Sequence, residues 1–452
     1  MALTKIFDIS SRSLAVYRRA LEVTSHNIVN SANPNYSRQR IVFETETSNL
    51  TAGLVWGNGV KISDVMRVRD RLVDAHIIGT NQKFSDSSRQ SQLVGDVEKI
   101  FSEPSDLGIS NLMTTFFNSF NELAVTPNSV PLRTNVLNAA NNLSAKVTSV
   151  NQSLNTLKGD IKQEFHQKVN SVNSILDQIH QINYEQFSNA YNGVPVNDLL
   201  DKRDALVDEL SNLVNINVVY DNTNSAVISI GGALAVDRMH SSEFVAEEVN
   251  GKLNLKVKDG SYPIVLTGGE LNALSQVYSK KIPAYQEKLD AVINNLVEAV
   301  NGEHANGFTI TDPQETGLNF FEGYVNGELI INSELIDDPN KIAISLDGTE
   351  GNGEIALRIA QLTDAKLLDG NTLQESYSSM INGLGNDGML QNNYTQANQM
   401  VLDELAQLRA SQSGVSVDEE MTNVLKFQRT YEASAKLITV ADEILQTILN
   451  MV

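Results

Sequence analysis

The chain has 452 residues, 41% of them apolar, enough for two to four domains with ordinary cores. A net charge of −21 and a pI of about 4.7 argue against nucleic acid or an anionic membrane surface as partner, since both need basic patches. Cysteine is absent, which removes disulfides, thiol nucleophiles and cysteine metal sites.

Residues 3–30 read as a first helix. Leu3, Phe7, Leu14, Tyr17, Leu21 and Ile28 alternate in steps of four and three, with Ser10 and Thr24 at the remaining positions. That is the spacing of a coiled-coil seam. Asn30 to Tyr36 breaks the helix, because Pro34 biases Asn33 to extended geometry. Asn35 tolerates the left-handed conformation and is expected to close the turn. Residues 40–66 read as short strands and turns, with Gly53 among the turn residues and Trp56 at a loop contact. Helical periods resume over 67–101 and Ile109–Leu123. Leu132 to Phe187 is one long helical pattern, whose stripe runs Leu143, Val147, Val150, Leu154, Leu157, Ile161, Phe165, Val169, Val172, Leu176 and Ile179. The repeated fours near Ile161 resemble a stutter. Gly193 and Pro195 end the run, and Asn197 is expected to cap a short helix to Val214.

The period then changes to two. Ile216 to Leu266 alternates, and Asn250-Gly251 between Val249 and Lys252 is a hairpin cue. We read one small all-β domain here. Gly268-Gly269 returns the chain to a helix over 270–305, and Gly307 to Gly353 is strand and loop. Helices follow at 354–368 and 371–411, with a kink or short loop expected at Gly383, Gly385 and Gly388. The last stretch, Gly414 to Val452, opens with Ser416 and Glu419 at capping-box spacing. Asp418, Glu419 and Glu420 place negative charge in its first turn, where the helix dipole favours it. Val417, Met421, Val424, Tyr431, Ala435, Ile438, Leu445, Leu449 and Val452 follow the four-three alternation, with Gln428 and Asp442 breaking it.

Two terminal helices with matching seams predict that the termini pair and the middle is inserted between them. The expected fold is mainly α with β insertions: paired terminal helices forming a coiled coil, a long-helix bundle and small outward β domains. The expected divisions are 1–33 with 415–452 as a terminal coiled coil, disordered in the monomer; 34–214 with 268–307 and 353–414 as a long-helix core; 215–267 as a small β domain; and 308–352 as a β and loop segment packed near it.

The six histidines show no metal-ligand spacing, and no nucleophile elbow, phosphate loop or dinucleotide fingerprint occurs. No enzymatic constellation, cofactor or metal is expected. There is no apolar run of about 20 residues for a membrane span, and the N-terminus does not read as a secretory signal peptide.

Residues 20–30, Ala-Leu-Glu-Val-Thr-Ser-His-Asn-Ile-Val-Asn, with Asn33-Pro34-Asn35-Tyr36-Ser37-Arg38-Gln39, resemble the N-terminal signature of flagellar rod, hook and hook-associated axial proteins. The segment Ser413 to Glu420, with Lys426 to Ala435, resembles the hook-associated branch that forms the first hook–filament junction. The residues carrying the likeness are Ser25, His26, Asn27, Asn30, Pro34, Tyr36, Ser37, Arg38, Gln39, Glu420, Phe427 and Gln428. It continues loosely through 197–213 and 283–308. The resemblance implies a structural protein outside the cell at the hook–filament junction. It also implies export in unfolded form by the flagellar type III system without a cleaved signal. The implied partners are other copies of itself in a ring, the hook protein, the second junction protein and an export chaperone. Assembly would run through the terminal seams. The alternative within the family is another axial protein: second junction protein, hook protein or a flagellin-like chain. The chain is short for this family, which implies reduced outer modules.

Overall fold

The computed structural model describes residues 2–47, 49–51, 54–191 and 196–451; at 2–3, 49–51, 54–56 and 190–191 the backbone alone is described. Gly53, Gly193, Pro195, Val452 and the side chains of Leu3 and Trp56 therefore lie outside the described residues. In chain order the elements are α1 (Ala2–Val29), β1 (Gln39–Thr45), β2 (Asn49–Thr51), β3 (Leu54–Trp56), β4 (Val60–Arg67), α2 (Arg71–Phe101), α3 (Ile109–Val125), α4 (Val130–Tyr191) and α5 (Asn197–Leu213). Then follow β5 (Ile216–Tyr220), β6 (Ala226–Ile230), β7 (Ala233–Val236), β8 (Phe244–Val249), β9 (Lys252–Val257), β10 (Pro263–Ile264), α6 (Glu270–Gln276) and α7 (Ile282–His304). The chain ends through β11 (Phe321–Val325), β12 (Glu328–Ile331), α8 (Ser333–Asp337), α9 (Glu354–Gln361), α10 (Leu373–Ser413) and α11 (Val417–Met451). The fold is mainly helical with small antiparallel sheets, and its first and last helices pack on each other.

Two compact units are built from interleaved segments. Unit 1 holds Met1–Gln82, Ser171–Glu243 and Asn398–Val452, and unit 2 holds Lys83–Asn170 and Phe244–Ala397. Three divisions fall inside α2, α4 and α10, and the fourth lies between β7 and β8, within the segment read as one β domain. Periodicity marks a change of element, not a change of packing partner.

In unit 1 the α1–α11 face is lined by small side chains. Ser10, Ala20, Thr24, Ser434 and Ala441 are buried, and the Ser13 and Ser434 hydroxyls meet at 2.7 Å. β1 and β4 form an antiparallel hairpin with Gln39 opposite Arg67 and a bulge at Val42/Phe43. Sheet β5–β6–β7 is clamped by Asn183, which bonds both the N–H and the C=O of Ala226.

In unit 2, Phe116, Phe117 and Phe120 of α3 cluster with Phe320 and Phe321 at centroid distances of 4.9–5.8 Å. The α4 stripe from Leu143 to Val169 is buried except for half-buried Leu157, and its continuation through Val172, Leu176 and Ile179 is buried in unit 1. The Asn250-Gly251 turn joins β8 to β9 with both residues at positive φ, as a two-residue hairpin requires.

Four expectations are corrected. The segment 215–267 is two separate three-stranded sheets, β5–β6–β7 and β8–β9–β10, one in each unit. Asn197 does not cap α5; the N-cap is Val196 without a side-chain bond, and Asn197 instead donates to the Val65 carbonyl at 2.8 Å. The helix at 270–305 carries a π turn at Val277–Lys281 between α6 and α7. Pro283 explains it, because its ring has no N–H to give and would strike the preceding turn. No loop interrupts α10 at Gly383–Gly388, where the helix runs on continuously. A Cβ at Gly388 would stand 2.8 Å from a Glu98 oxygen, so that glycine allows a close helix approach.

Candidate functional site

The termini meet at a polar node at the base of the helix pair, inside unit 1. Asn27, near the end of α1, is 1% exposed. Its amide makes four hydrogen bonds, the capacity of that group. Oδ1 accepts from the Tyr36 hydroxyl at 2.7 Å and from the Gln39 N–H at 2.9 Å. Nδ2 donates to the Gln39 carbonyl at 2.9 Å and to Glu420 Oε2 at 3.1 Å. Glu420, 2% exposed in the first turn of α11, also receives Arg38 Nε at 2.8 Å and Arg38 Nη2 at 2.6 Å. Arg38 Nη1 reaches Glu419 at 2.8 Å, and the Arg38 N–H donates to the Ser413 carbonyl.

The breaker segment is held by its own side chains. Asn33 Oδ1 accepts from the Asn35 N–H, and Asn33 O accepts from the Tyr36 N–H. Asn35 does not take the left-handed conformation expected of it; among the described residues the positive-φ asparagines are Asn224, Asn250 and Asn326. His26 Nδ1 lies 3.0 Å from the Tyr36 hydroxyl, and Asn30 Nδ2 donates back to the His26 carbonyl. Burial, with Asp198, Asp201 and Glu420 nearby, pushes the Tyr36 hydroxyl pKa upward, so it stays a proton donor to Asn27. Opposite, a Cβ at Gly414 would stand 2.2 Å from the Ala410 carbonyl oxygen, so only glycine lets α10 turn into α11.

An ion network supports this node. Ser37 Oγ donates to Asp201 at 2.6 Å. Arg67 reaches Asp201 at 2.7 Å and Asp204 at 2.9 Å, while Arg69 reaches Asp204 at 3.0 Å and Asp74 at 2.9 Å. Arg203 bonds Asp204 at 3.0 Å, and Arg409 bridges Asp74 and Asp208 at 2.8 and 2.7 Å. Burial alone would raise the Asp204 pKa, but Arg203, Arg67 and Arg69 hold it below the usual carboxylate range. Burial would likewise lower that of Arg69, and Asp204 and Asp74 hold it high instead. Asp204 and Arg69 therefore stay charged through the ordinary pH range. A buried pair of this kind costs several kcal/mol to leave half-broken, so the network acts as a rigid footing.

A family model described as the flagellar hook-associated protein FlgK helical domain matches residues 94–321. The chain belongs to the flagellar hook-associated protein FlgK family. A second model, the flagellar basal body rod FlgEFG protein C-terminal, matches residues 406–451, the end of α10 and all of α11. The chain is 26% identical to flagellar hook-associated protein 1 of Bacillus subtilis strain 168, covering 98% of this chain and 97% of that protein. It is 21% identical to the Escherichia coli K12 protein of the same name, over 99% and 100%. The solved flagellar hook junction protein FlgK from Burkholderia pseudomallei shares the fold, with a TM-score of 0.64, 15% identity, and coverage of 77% of this chain and 100% of that one. The chain is thus a structural axial protein of the flagellum, not an enzyme.

Of the motif residues, Asn27, Tyr36, Ser37, Arg38, Gln39 and Glu420 meet at the node, with His26 and Asn30 bracing it. Ser25, Pro34 and Gln428 are exposed, and Phe427 stacks near Tyr17 and Phe43 at 6.1 and 5.9 Å. Of the seam residues, Phe7, Leu14, Tyr17, Leu21, Ile28, Val424, Ile438 and Leu445 are half-buried, and Val417, Met421, Tyr431 and Leu449 are exposed. The covered face of α11 runs through Glu420, Val424, Phe427, Ser434, Ile438, Ala441 and Leu445. Half of the expected heptad positions thus shift by one residue, so that Phe427 and Ala441 stand where Gln428 and Asp442 broke the pattern. The ion network is absent from the sequence reading, yet it had a signal. Arg67 and Arg69 are two apart on extended chain and share a face, while Asp201, Asp204 and Asp208 are three and four apart on a helix.

Proposed function

We propose that the chain joins the flagellar hook to the filament as a ring of copies, assembling through α1 and α11. Its partners are then other copies of itself, the hook protein and the second junction protein, with an export chaperone before assembly. In this reading it leaves the cell unfolded by the flagellar type III route without a cleaved signal. The observation that carries the proposal is the one-sided terminal pair. The fully buried residues between α1 and α11 are mostly small, with Tyr17 and Phe427 only half-buried at the contact, so the pair buries limited apolar area, while Leu437, Val440, Ile444 and Ile448 of α11 remain exposed. Helices joined so weakly are poorly ordered away from the node until neighbouring subunits cover them. Packing of unlike faces, head to tail, would close them into a ring. The rod-family match over 406–451 supports a second reading, another axial position such as hook protein, second junction protein or flagellin-like chain.

The test is a clean deletion in the source bacterium, complemented with variants. Loss of the gene should leave hooks without filaments and flagellin in the medium; normal filaments would end the reading. Ile444→Asp, at an exposed position, should be exported and melt like wild type yet fail to restore motility. Ile438→Asp, on the covered face, should loosen the pair itself. Gold-labelled antibody at the hook–filament boundary, rather than along either structure, separates the two readings.

A further inference from the structure

In unit 2 one peptide group is gripped at both ends. The Ile342 carbonyl accepts from Arg133 Nη1 at 2.6 Å, and the Ala343 N–H of the same peptide donates to His304 Nε2 at 3.0 Å. His304 Nδ1 lies 2.7 Å from the Leu318 carbonyl, so that nitrogen carries the proton and Nε2 is a bare acceptor. Both gripping side chains are wholly buried, and Arg133 Nη2 is spent on the Pro127 carbonyl at 3.0 Å. Ile342, Ala343 and Ile344 are buried as well. The segment continues the contact: Phe308 N–H donates to the Ser345 carbonyl at 2.8 Å, and Ile355 N–H to the Ile344 carbonyl at 3.0 Å.

A proton on Nε2 would set two N–H donors against each other. Ala343 must withdraw for His304 to become charged. The charge nearest His304 on the packed elements is Arg133, which opposes protonation; Asp338, at the start of the segment, acts on Arg133. Glu303, the preceding residue of α7, lies 4.0 Å from Arg358 of α9, and Lys341 pairs with Glu334 and Glu315. Among the described residues, no carboxylate acts on His304 to stabilise an imidazolium there.

We propose that His304 and Arg133 form an acid-released latch on segment 338–346, in which protonation of His304 frees the Ile342–Ala343 peptide while the α3–α4 core stays closed. Burial, first, and Arg133, in addition, lower the His304 pKa to about 4 from an ordinary 6.5. The closed form therefore binds fewer protons than the open one. Its advantage is full above pH 6.5 and falls as pH drops toward 4. By linkage, opening should become about 20-fold more favourable at pH 5 than at neutral pH.

The experiment is hydrogen exchange on the full chain between pH 7 and 4.5, expressed as protection factors so that the acid slowing of intrinsic exchange cancels. Peptides over 338–346 should lose about 20-fold protection by pH 5, whereas peptides over 143–165 hold. His304→Gln, which keeps an acceptor and cannot titrate, should flatten the response; Asp338→Asn should leave it intact. Unchanged protection at 338–346 in wild type would overturn the latch, as would equal loss across unit 2. So would the same pH response in a folded His304→Gln protein. The wild-type profile decides on its own if that variant does not fold.

Discussion

Asn27 shows how one residue can be specified by geometry alone. Two acceptor and two donor positions of its amide are filled by Tyr36, both ends of Gln39, and Glu420. Aspartate has nearly the same shape but no donors, and it would aim a second carboxylate at buried Glu420. Asn27→Asp should cost about 3 kcal/mol or more, because it leaves a buried charge facing its like. Hydrogen exchange at 20–40 and 417–424 would read this as a loss of protection of roughly a hundredfold or more; unchanged protection would mean the node does not hold the pair. The motif around Asn27 was visible in the sequence, but its role was not. Its decisive partner lies 393 positions away, and no local pattern encodes that meeting.

At the scale of elements, long amphipathic helices were the most legible features. The α4 stripe was readable because large apolar residues repeat where burial is deep. About half of the α11 seam was read one residue off for the opposite reason, while Val424, Ile438 and Leu445 lie on the covered face as expected. There the contact uses Ser13, Ala20, Ser434 and Ala441, while larger side chains such as Leu437 and Ile444 face outward. Hydrophobic periodicity then reports the outer face as strongly as the inner one. Glycine misled in α10, since Tyr377, Met380 and Leu384 are buried beside the glycines and hold the helix where an isolated one would weaken. Gly383 and Gly385 have open space where a Cβ would stand. Gly383→Ala with Gly385→Ala should stabilise α10 by about 1–2 kcal/mol in total, raising the midpoint of chemical denaturation of unit 2. Gly388→Ala should gain less, because its new methyl meets Glu98.

For the whole molecule, the two units could not be read from the sequence, because each gathers segments that the chain visits at separate times. Four arginines and four aspartates of unit 1 neutralise one another, so the net charge of −21 resides elsewhere. Removing α11 by ending the chain at Gly414 should strip protection from residues 20–40 and leave the Phe116 cluster of unit 2 intact. Equal protection in the shortened chain would show that the node does not depend on the C-terminal helix. The Ser13–Ser434 contact spans 421 positions and the Asn27–Glu420 contact 393. Contacts of such separation close late, since the chain entropy surrendered grows with the length of the loop. A polypeptide delivered end-first, in either direction, therefore holds an unfinished half of its node until the opposite end has arrived. In the export proposed above, the knot of Asn27, Arg38 and Glu420 would work as a clock: its closure would record that both terminal segments have been delivered.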